Sequence, residues 1–341
     1  RCDVLVLEVD EATYPVFTRY ITPSHLIVNN FFRDQLDRYG EIEVLVDLVN
    51  SGISSETTLI LNGDDPLVRY LGYKNSENRV VYFGLAQTKY SVSETEQVRE
   101  GKFCPVCGSK LNYLYYHYSQ LGNYSCSCGF SRPVIQVEAY DVDLKNKEFK
   151  VDDMIYKIGY DNLYFIYNSL AAMIIGDEFG ISRELIKASI LDFKVDDGRM
   201  ENYLLGQHKT YLNLVKNPTG LNQSLEHILR QEDEAFNIFL ALNNLAADGT
   251  DNYWIWDVDF EQLKTSNINK FYCSGLRAFD LAVRLKYAFI EEDKLIVIPD
   301  LSACIEEARQ NSNKTYILST YTALQRTRRI LGSLKENGGD R

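Results

Sequence analysis

Four of the seven cysteines stand in two knuckles, Cys104-Pro-Val-Cys107-Gly and, after 17 further residues, Cys126-Ser-Cys128-Gly. Paired thiolates of this kind can close a tetrahedral zinc site, and the glycine after each pair permits the tight turn that points both sulfurs at one ion. Cys104, Cys107, Cys126 and Cys128 are therefore read as zinc ligands, although the second knuckle has a single intervening residue. Four thiolates leave no open coordination position, so such a metal is structural and not catalytic. The alternative is a reduced, metal-free thiol cluster. Cys2, Cys273 and Cys304 read as packing residues, and none of them sits in a Gly-x-Cys-x-Gly nucleophile turn.

Carboxylates are the second candidate chemistry. Val4-Leu5-Val6-Leu7 runs into Glu8-Val9-Asp10-Glu11, the shape of a buried strand that delivers carboxylates at its C-terminal end. A hard cation such as Mg²⁺ takes such oxygens beside substrate phosphates. An acidic strand end is also often a solvated edge, and Asn62-Gly63-Asp64-Asp65-Pro66 has the composition of an ordinary turn. There is no Gly-x-x-x-x-Gly-Lys-Ser/Thr phosphate loop, since Gly101-Lys102 is followed by Phe103 and lacks the upstream glycine. With only four histidines, imidazole acid-base catalysis has few candidates.

The elements that would position these groups follow from periodicity. The apolar runs 25–28 and 58–61 lead into Asn29-Asn30 and into the Asn62 turn, and between them 39–51 has helical spacing with Ile42, Leu45, Val46 and Val49 on one face. Strands alternating with helices predict a parallel α/β sheet, whose ligands bind at the C-terminal strand ends, where the three polar clusters fall. Residues from about 87 to 134 break the rhythm, 137–152 suggest a hairpin, and 161–193 are helical again. Near Asp196-Asp197-Gly198 a boundary is expected, followed by a second α/β domain with strands at 211–215, 236–240, 253–256, 270–273 and 294–298. The length of 341 residues suits two domains or one with an insertion. The organisation expected is thus 1–195, with a ribbon inserted at about 100–133, and 196–341.

Net charge −12 works against a nucleic-acid partner. Tyr113, Tyr115, Tyr116, Tyr118 and Tyr124 between the knuckles could stack bases, but only Lys102, Lys110 and Arg132 accompany them. Bulk for a ribbon too small to build its own core is the preferred reading. No apolar run of about 18 residues occurs, and the opening resembles neither a signal nor a transit peptide, which predicts a cytoplasmic protein. The abrupt start on an apolar run predicts missing N-terminal sequence.

Taken in order, these pieces resemble the Mur ligases, which form amide bonds on peptidoglycan precursors through ATP-derived acyl phosphates. The matching pieces are Glu8, Asn30-Phe-Phe-Arg-Asp34-Gln35-Leu-Asp37-Arg-Tyr-Gly40, the Asn62 to Pro66 turn, Asn168-Ser-Leu-Ala171-Ala172 and Gly198-Arg199-Met-Glu201. Three features narrow the resemblance to the branch that acts as a synthetase subunit beside a GatD-type glutaminase. Gln35 replaces a usual metal-binding His, and the four-cysteine ribbon interrupts the central domain. Asn213-Leu-Val-Lys216-Asn217-Pro218 opens the second domain and precedes Asn243-Asn-Leu-Ala-Ala-Asp248-Gly-Thr-Asp251-Asn-Tyr-Trp254-Ile-Trp256-Asp257.

The resemblance implies a Mur-ligase-like parallel-sheet ATP-binding domain lacking its N-terminal phosphate-loop part, an inserted zinc ribbon, and a Rossmann-like C-terminal α/β domain. It implies amidation of the α-carboxyl of D-isoglutamate in the lipid II stem peptide to D-isoglutamine, with ATP and Mg²⁺, at the inner membrane surface and without a transmembrane segment of its own. Glu8 becomes a Mg²⁺ ligand, Asn30, Asn62 and Asp65 belong to the nucleotide pocket, and Arg199, Lys216 and Asn217 reach the nucleotide on domain closure. The glutaminase partner would supply ammonia, bind the C-terminal domain, and borrow Asp251 as the acid behind its catalytic His, with Asp248 and Asp257 as alternatives. Without the phosphate loop, residues 1–341 alone are expected not to hydrolyse ATP at a useful rate. Two rival readings are a Mur-type ligase acting without a glutaminase and a zinc-ribbon binding module without catalysis; a copurifying glutaminase and nucleotide binding discriminate among the three.

Overall fold

A computed structural model describes residues 3–32, 41–95, 100–194, 201–205, 208–232, 234–264 and 267–336. Among these, the residues up to Lys194 form one unit and those from Glu201 onward form a second.

In the first unit α1 (Tyr14–Phe17), β1 (His25–Val28), α2 (Ile42–Ser51), β2 (Thr58–Asn62), α3 (Pro66–Lys74) and β3 (Val80–Leu85) follow one another. The strands pair in parallel, as helical crossovers require. Helix α2 buries Ile42, Leu45, Val46 and Val49, the face that the spacing predicts. The start of α3 is fixed twice, by the Asp65 side chain capping Leu67 and Val68 and by Pro66 in the first turn, where a missing N–H costs nothing. The strands β4 (Asn112–Tyr118) and β5 (Leu121–Ser125) form an antiparallel hairpin between the cysteine knuckles. The chain then returns to the sheet with β6 (Val137–Asp143) parallel to β3, and β7 (Glu148–Val151) and β8 (Met154–Lys157) complete the order β1-β2-β3-β6-β7-β8 as an antiparallel meander. Helix α4 (Leu163–Glu178) buries Phe165, Ile166, Leu170, Met173 and Ile174, and α5 (Arg183–Asp192) begins at Ser182, whose hydroxyl accepts from the Leu185 N–H.

The second unit has β9 (Glu201–Leu205), β10 (His208–Leu214), α6 (Pro218–Gln231), β11 (Phe236–Ala241), β12 (Ile268–Ser274), α7 (Ala278–Tyr287), β13 (Leu295–Val297), α8 (Leu301–Arg309), β14 (Lys314–Ser319) and α9 (Tyr321–Glu336). Its sheet runs β13-β12-β11-β14-β10-β9, with only the edge pair β9 and β10 antiparallel. Alternation along β11 sends Phe236, Ile238 and Leu240 into one core with Leu225 of α6 and Leu281 of α7. It sends Phe239 and Ala241 into another with Ile305 of α8 and Leu324 of α9. Burial on both faces is what makes β11 a continuous apolar run, and the architecture is a doubly wound, Rossmann-like α/β layer.

Two expectations are corrected. Residues 4–7 form no strand, and Val4, Leu5, Val6 and Leu7 are all exposed. A strand needs a ladder partner, and among the described residues the first sheet ends at β1, which pairs with β2 alone. Glu8 is therefore exposed and not at a strand end, which leaves two polar clusters there instead of three. Residues Tyr253–Asp257 form a 3₁₀ helix in place of the strand expected at 253–256. Local bonds win over a ladder: the Tyr253 N–H donates to the Asp251 carboxylate at 2.7 Å and the Ile255 N–H to the Asn252 carbonyl at 3.3 Å. No strand is expected from the sequence at β3, β8, β9 or β14. Cys2, Gln35, the boundary around 196–198 and Arg199 lie outside the described residues.

Candidate functional site

The C-terminal ends of β1 and β2 are tied into one polar cluster. The Asn62 side-chain amide donates to the Asn29 carbonyl at 2.8 Å, and the Asn62 side-chain oxygen accepts from the Asp64 N–H at 3.0 Å. The Asn29 amide donates to the Asn168 side chain of α4 at 2.8 Å. Asp65 accepts the Phe31 N–H at 3.0 Å in addition to capping α3, and Gln120 donates to it at 3.2 Å. Burial pushes the Asp65 carboxyl up to about 6, against the pull of these donors. Asn30, half-buried, lies in the lashed loop between Asn29 and Phe31, and beside it the Asn29 side-chain oxygen is buried without a hydrogen-bond partner among the described residues. Asn30, Asn62 and Asp65 are thus brought together, with Asn62 and Asp65 wholly buried and their side chains engaged internally.

Asp64, next in the same turn, organises a network that sequence reasoning missed. It lies under β3, where Gly84 leaves room: a Cβ there would come within 2.6 Å of the carboxylate. Its oxygens accept from Arg132 Nε at 2.6 Å, the Leu85 N–H at 2.7 Å and the Tyr167 hydroxyl at 2.7 Å. Arg132 also reaches the Leu85 carbonyl and Glu138. Burial works against the guanidinium charge, but Asp64 and Glu138 together hold Arg132 above its ordinary pKa. His117 is pushed the other way, downward, by burial. Its Nε2 lies 3.2 Å from the Leu85 carbonyl, an obligate acceptor, so the neutral ring carries its proton there. The only advance signal was Arg132 itself, a lone cation four residues past the second knuckle.

The four cysteines converge as the knuckles predict. Their sulfurs all lie within 4.8 Å of one another, and Gly108 and Gly129 take φ values of 74° and 92°, which glycine adopts freely. Soft thiolates at this spacing fit Zn²⁺, and among the described residues no other His, Cys, Asp or Glu cluster of three or more offers a metal site. A single carboxylate such as Glu8 fits Mg²⁺ only in the usual manner of that ion, with phosphates and water completing the shell. One zinc per chain is expected. Cys104→Ser should release it and lower the thermal midpoint of the first unit; protein purified without chelator that carries no zinc would contradict this.

In the second unit Asn217 caps α6 by accepting the Gly220 N–H at 2.7 Å, ahead of Pro218 in its first turn. Lys216 beside it is exposed. Asp248 is buried and spent internally, accepting the Thr322 N–H at 2.7 Å, the Thr322 hydroxyl at 2.6 Å and the Leu245 N–H at 3.1 Å. Asp251 is half-buried, and one of its oxygens takes the Tyr253 N–H while the other has no hydrogen bond among the described residues. A carboxylate held at one oxygen and open at the other can orient an incoming imidazole.

The family model described as "MurT ligase C-terminal" matches residues 214–324. A Staphylococcus aureus (strain COL) protein named "Lipid II isoglutaminyl synthase (glutamine-hydrolyzing) subunit MurT" is 35% identical over 95% of this chain and 74% of its own. A Streptococcus pneumoniae (strain ATCC BAA-255 / R6) protein of the same name is 34% identical over 97% of this chain and 75% of its own. Among solved structures, a pseudomurein peptide ligase type C from Methanothermus fervidus superposes with TM-score 0.68 at 20% identity, covering 92% of this chain and 64% of that one. MurF ligase from Thermotoga maritima, solved with ADP, gives 0.59 at 14% identity, covering 95% and 65%. The chain thus spans about three-quarters of the length of these curated relatives and under two thirds of these solved ligases. The solved neighbours share the Mur-ligase-like α/β fold. Among the described residues no helix is long and apolar enough to cross a membrane.

Proposed function

This chain belongs to the MurT family, and from that membership we propose that it is the synthetase subunit of an ATP-dependent, glutamine-hydrolysing amide ligase acting on lipid II. The observation that carries the reading is the 35% identity over 95% of the chain to a protein named for that activity. ATP phosphorylates the α-carboxylate of D-isoglutamate in the stem peptide, ammonia attacks the acyl phosphate, and phosphate leaves with its oxygen. Such a transfer depends on positioning and on stabilising the phosphoryl charge. Bound Mg²⁺ would neutralise that charge.

In the chain itself, the loops after β1 and β2 are assigned to the nucleotide. Asn30 and the Asn29 oxygen that has no hydrogen-bond partner among the described residues are given that role, while Asn62 and Asp65 hold the loops in shape. Glu8 is assigned to Mg²⁺, and Arg199, Lys216 and Asn217 to nucleotide contacts from later in the chain. Free ammonia is scarce at neutral pH, so a GatD-type glutaminase is the proposed ammonia source, and Asp251 is the group offered to its catalytic His. The cytoplasm, where ATP and the lipid-linked precursor meet, is the proposed setting.

The reading is tested by coexpression of the full-length protein with a GatD-type glutaminase. A stable heterodimer that binds ATP is expected; ATP binding without any glutaminase association would favour a ligase working alone, and neither would leave a zinc-ribbon binding module. In the full-length protein, Glu8→Ala should abolish amidation while leaving glutaminase association intact, read by activity and by size-exclusion chromatography. Retained amidation would remove Glu8 from the metal site.

A further inference from the structure

A hairpin tip is ordinarily the most solvated part of a β-ribbon, yet the tip between β4 and β5 is buried: Ser119 is 4% exposed and Gln120 0%. Ser119 takes a positive φ of 47° to make the turn, and the turn drives Gln120 into the first unit. There the Gln120 amide donates to the Phe31 carbonyl at 2.6 Å and to Asp65 at 3.2 Å, joining the loop after β1 to the turn after β2. Its own oxygen accepts the Ser119 hydroxyl at 2.8 Å, which fixes which end of the amide faces the loops.

The rest of the ribbon grips the same turn. The Gly122 N–H donates to the Asp64 carbonyl at 3.0 Å, the Tyr124 hydroxyl to the Gly63 carbonyl at 3.0 Å, and Arg132 to the Asp64 carboxylate at 2.6 Å. The bonds from Gln120, Gly122, Tyr124 and Arg132 thus converge on Phe31 and residues 63–65, and Arg132 adds the Leu85 carbonyl and Glu138 of the same sheet. An insertion that merely decorated the sheet would not send its tip and its exit to the two loops at the C-terminal strand ends.

We propose that Gln120 and Arg132 are positioning residues of the nucleotide site, the ribbon acting as a brace that sets the loops carrying Asn30, Asn62 and Asp65. Zinc held by Cys104, Cys107, Cys126 and Cys128 would close the base of the brace, and the buried tip sets the spacing of the two loops. The inference rests on the assignment of those loops to the nucleotide, and its test separates the two claims.

Hydrogen exchange is measured on the full-length protein with its partner subunit, alongside steady-state kinetics, for the unaltered protein and for Gln120→Ala. With zinc still bound at one atom per chain, exchange in residues 29–32 and 62–68 should accelerate about tenfold or more, as expected where local opening loses a buried hydrogen bond. The KM for ATP should rise about tenfold with a smaller change in kcat and none in the KM for glutamine. Unchanged exchange in both segments would overturn the brace. Accelerated exchange with an unaltered KM for ATP would overturn the proposal from the other side, because the loops would then not serve the nucleotide. Chelating zinc from the unaltered protein gives a second arm that needs no variant: faster exchange in the same two segments is expected, and a change confined to residues 103–131 would count against the brace.

Discussion

Replacing Asp251 by Asn is expected to leave the complex with the glutaminase intact and to reduce glutamine-driven amidation by about 10²–10⁴-fold, the usual weight of a group that orients a catalytic base. A glutaminase Cys is activated by a His, and that His needs an acceptor to hold its tautomer and stabilise the imidazolium. Asp251 is suited to this because the Tyr253 N–H fixes one oxygen at the start of the 3₁₀ turn while the other has no hydrogen bond among the described residues. Asp248 is not, since both of its oxygens are engaged by Thr322. A side-chain amide in place of the carboxylate would keep the shape and lose the charge. Ammonium salts at high pH bypass the glutaminase and should restore part of the activity. A variant with full glutamine-dependent turnover would exclude Asp251, and Asp257 would be tested next.

Arg132→Met is expected to destabilise the first unit by about 3–5 kcal/mol, because it strips the cation from a buried carboxylate and leaves that charge uncompensated. Asp64 is 0% exposed at its side chain and Arg132 12%, so solvent screens this pair little. The Leu85 N–H and the Tyr167 hydroxyl would remain on Asp64, which keeps the cost within that range and not above it. Chemical denaturation with and without bound zinc measures the loss, and the double variant Asp64→Asn/Arg132→Met should recover part of it, since removing both charges removes the buried imbalance. A loss below about 1 kcal/mol would mean that water reaches the pair and screens it.

The sequence made local features legible and long-range ones illegible. Helix α2 and the two glycine-ended knuckles depend on neighbours a few residues away, so spacing alone identifies them, whereas the capped start of α3 at Asp65-Pro66 reads in the sequence only as a turn. Strand β14 depends on β10 and β11 on either side of it, and nothing local in Lys314–Ser319 announces that position. The apolar run 4–7 fails for the opposite reason: its pattern is strand-like, but among the described residues it joins no sheet. At 253–256 the aromatic residues suggest a strand, whereas Asp251 supplies a local bond that turns the chain. At the site, Asn62 and Asp65 stand in a turn that by itself reads as ordinary, and only the family resemblance singles them out. Gln120 and His117 cannot be found from the sequence, because their roles arise only when the ribbon folds back onto loops 55 to 89 residues away or 32 residues away.

Transfer of nitrogen tests the central claim most directly. The full-length protein, a GatD-type glutaminase, ATP, Mg²⁺ and lipid II would be incubated with glutamine carrying heavy nitrogen in its side-chain amide, and the stem peptide analysed by mass spectrometry. The account predicts heavy nitrogen in an amide at the former α-carboxyl of D-isoglutamate, formed only when ATP is present and with one phosphate released per amide. A stem peptide that keeps its free carboxylate under these conditions, or an amide that forms without ATP, would contradict it.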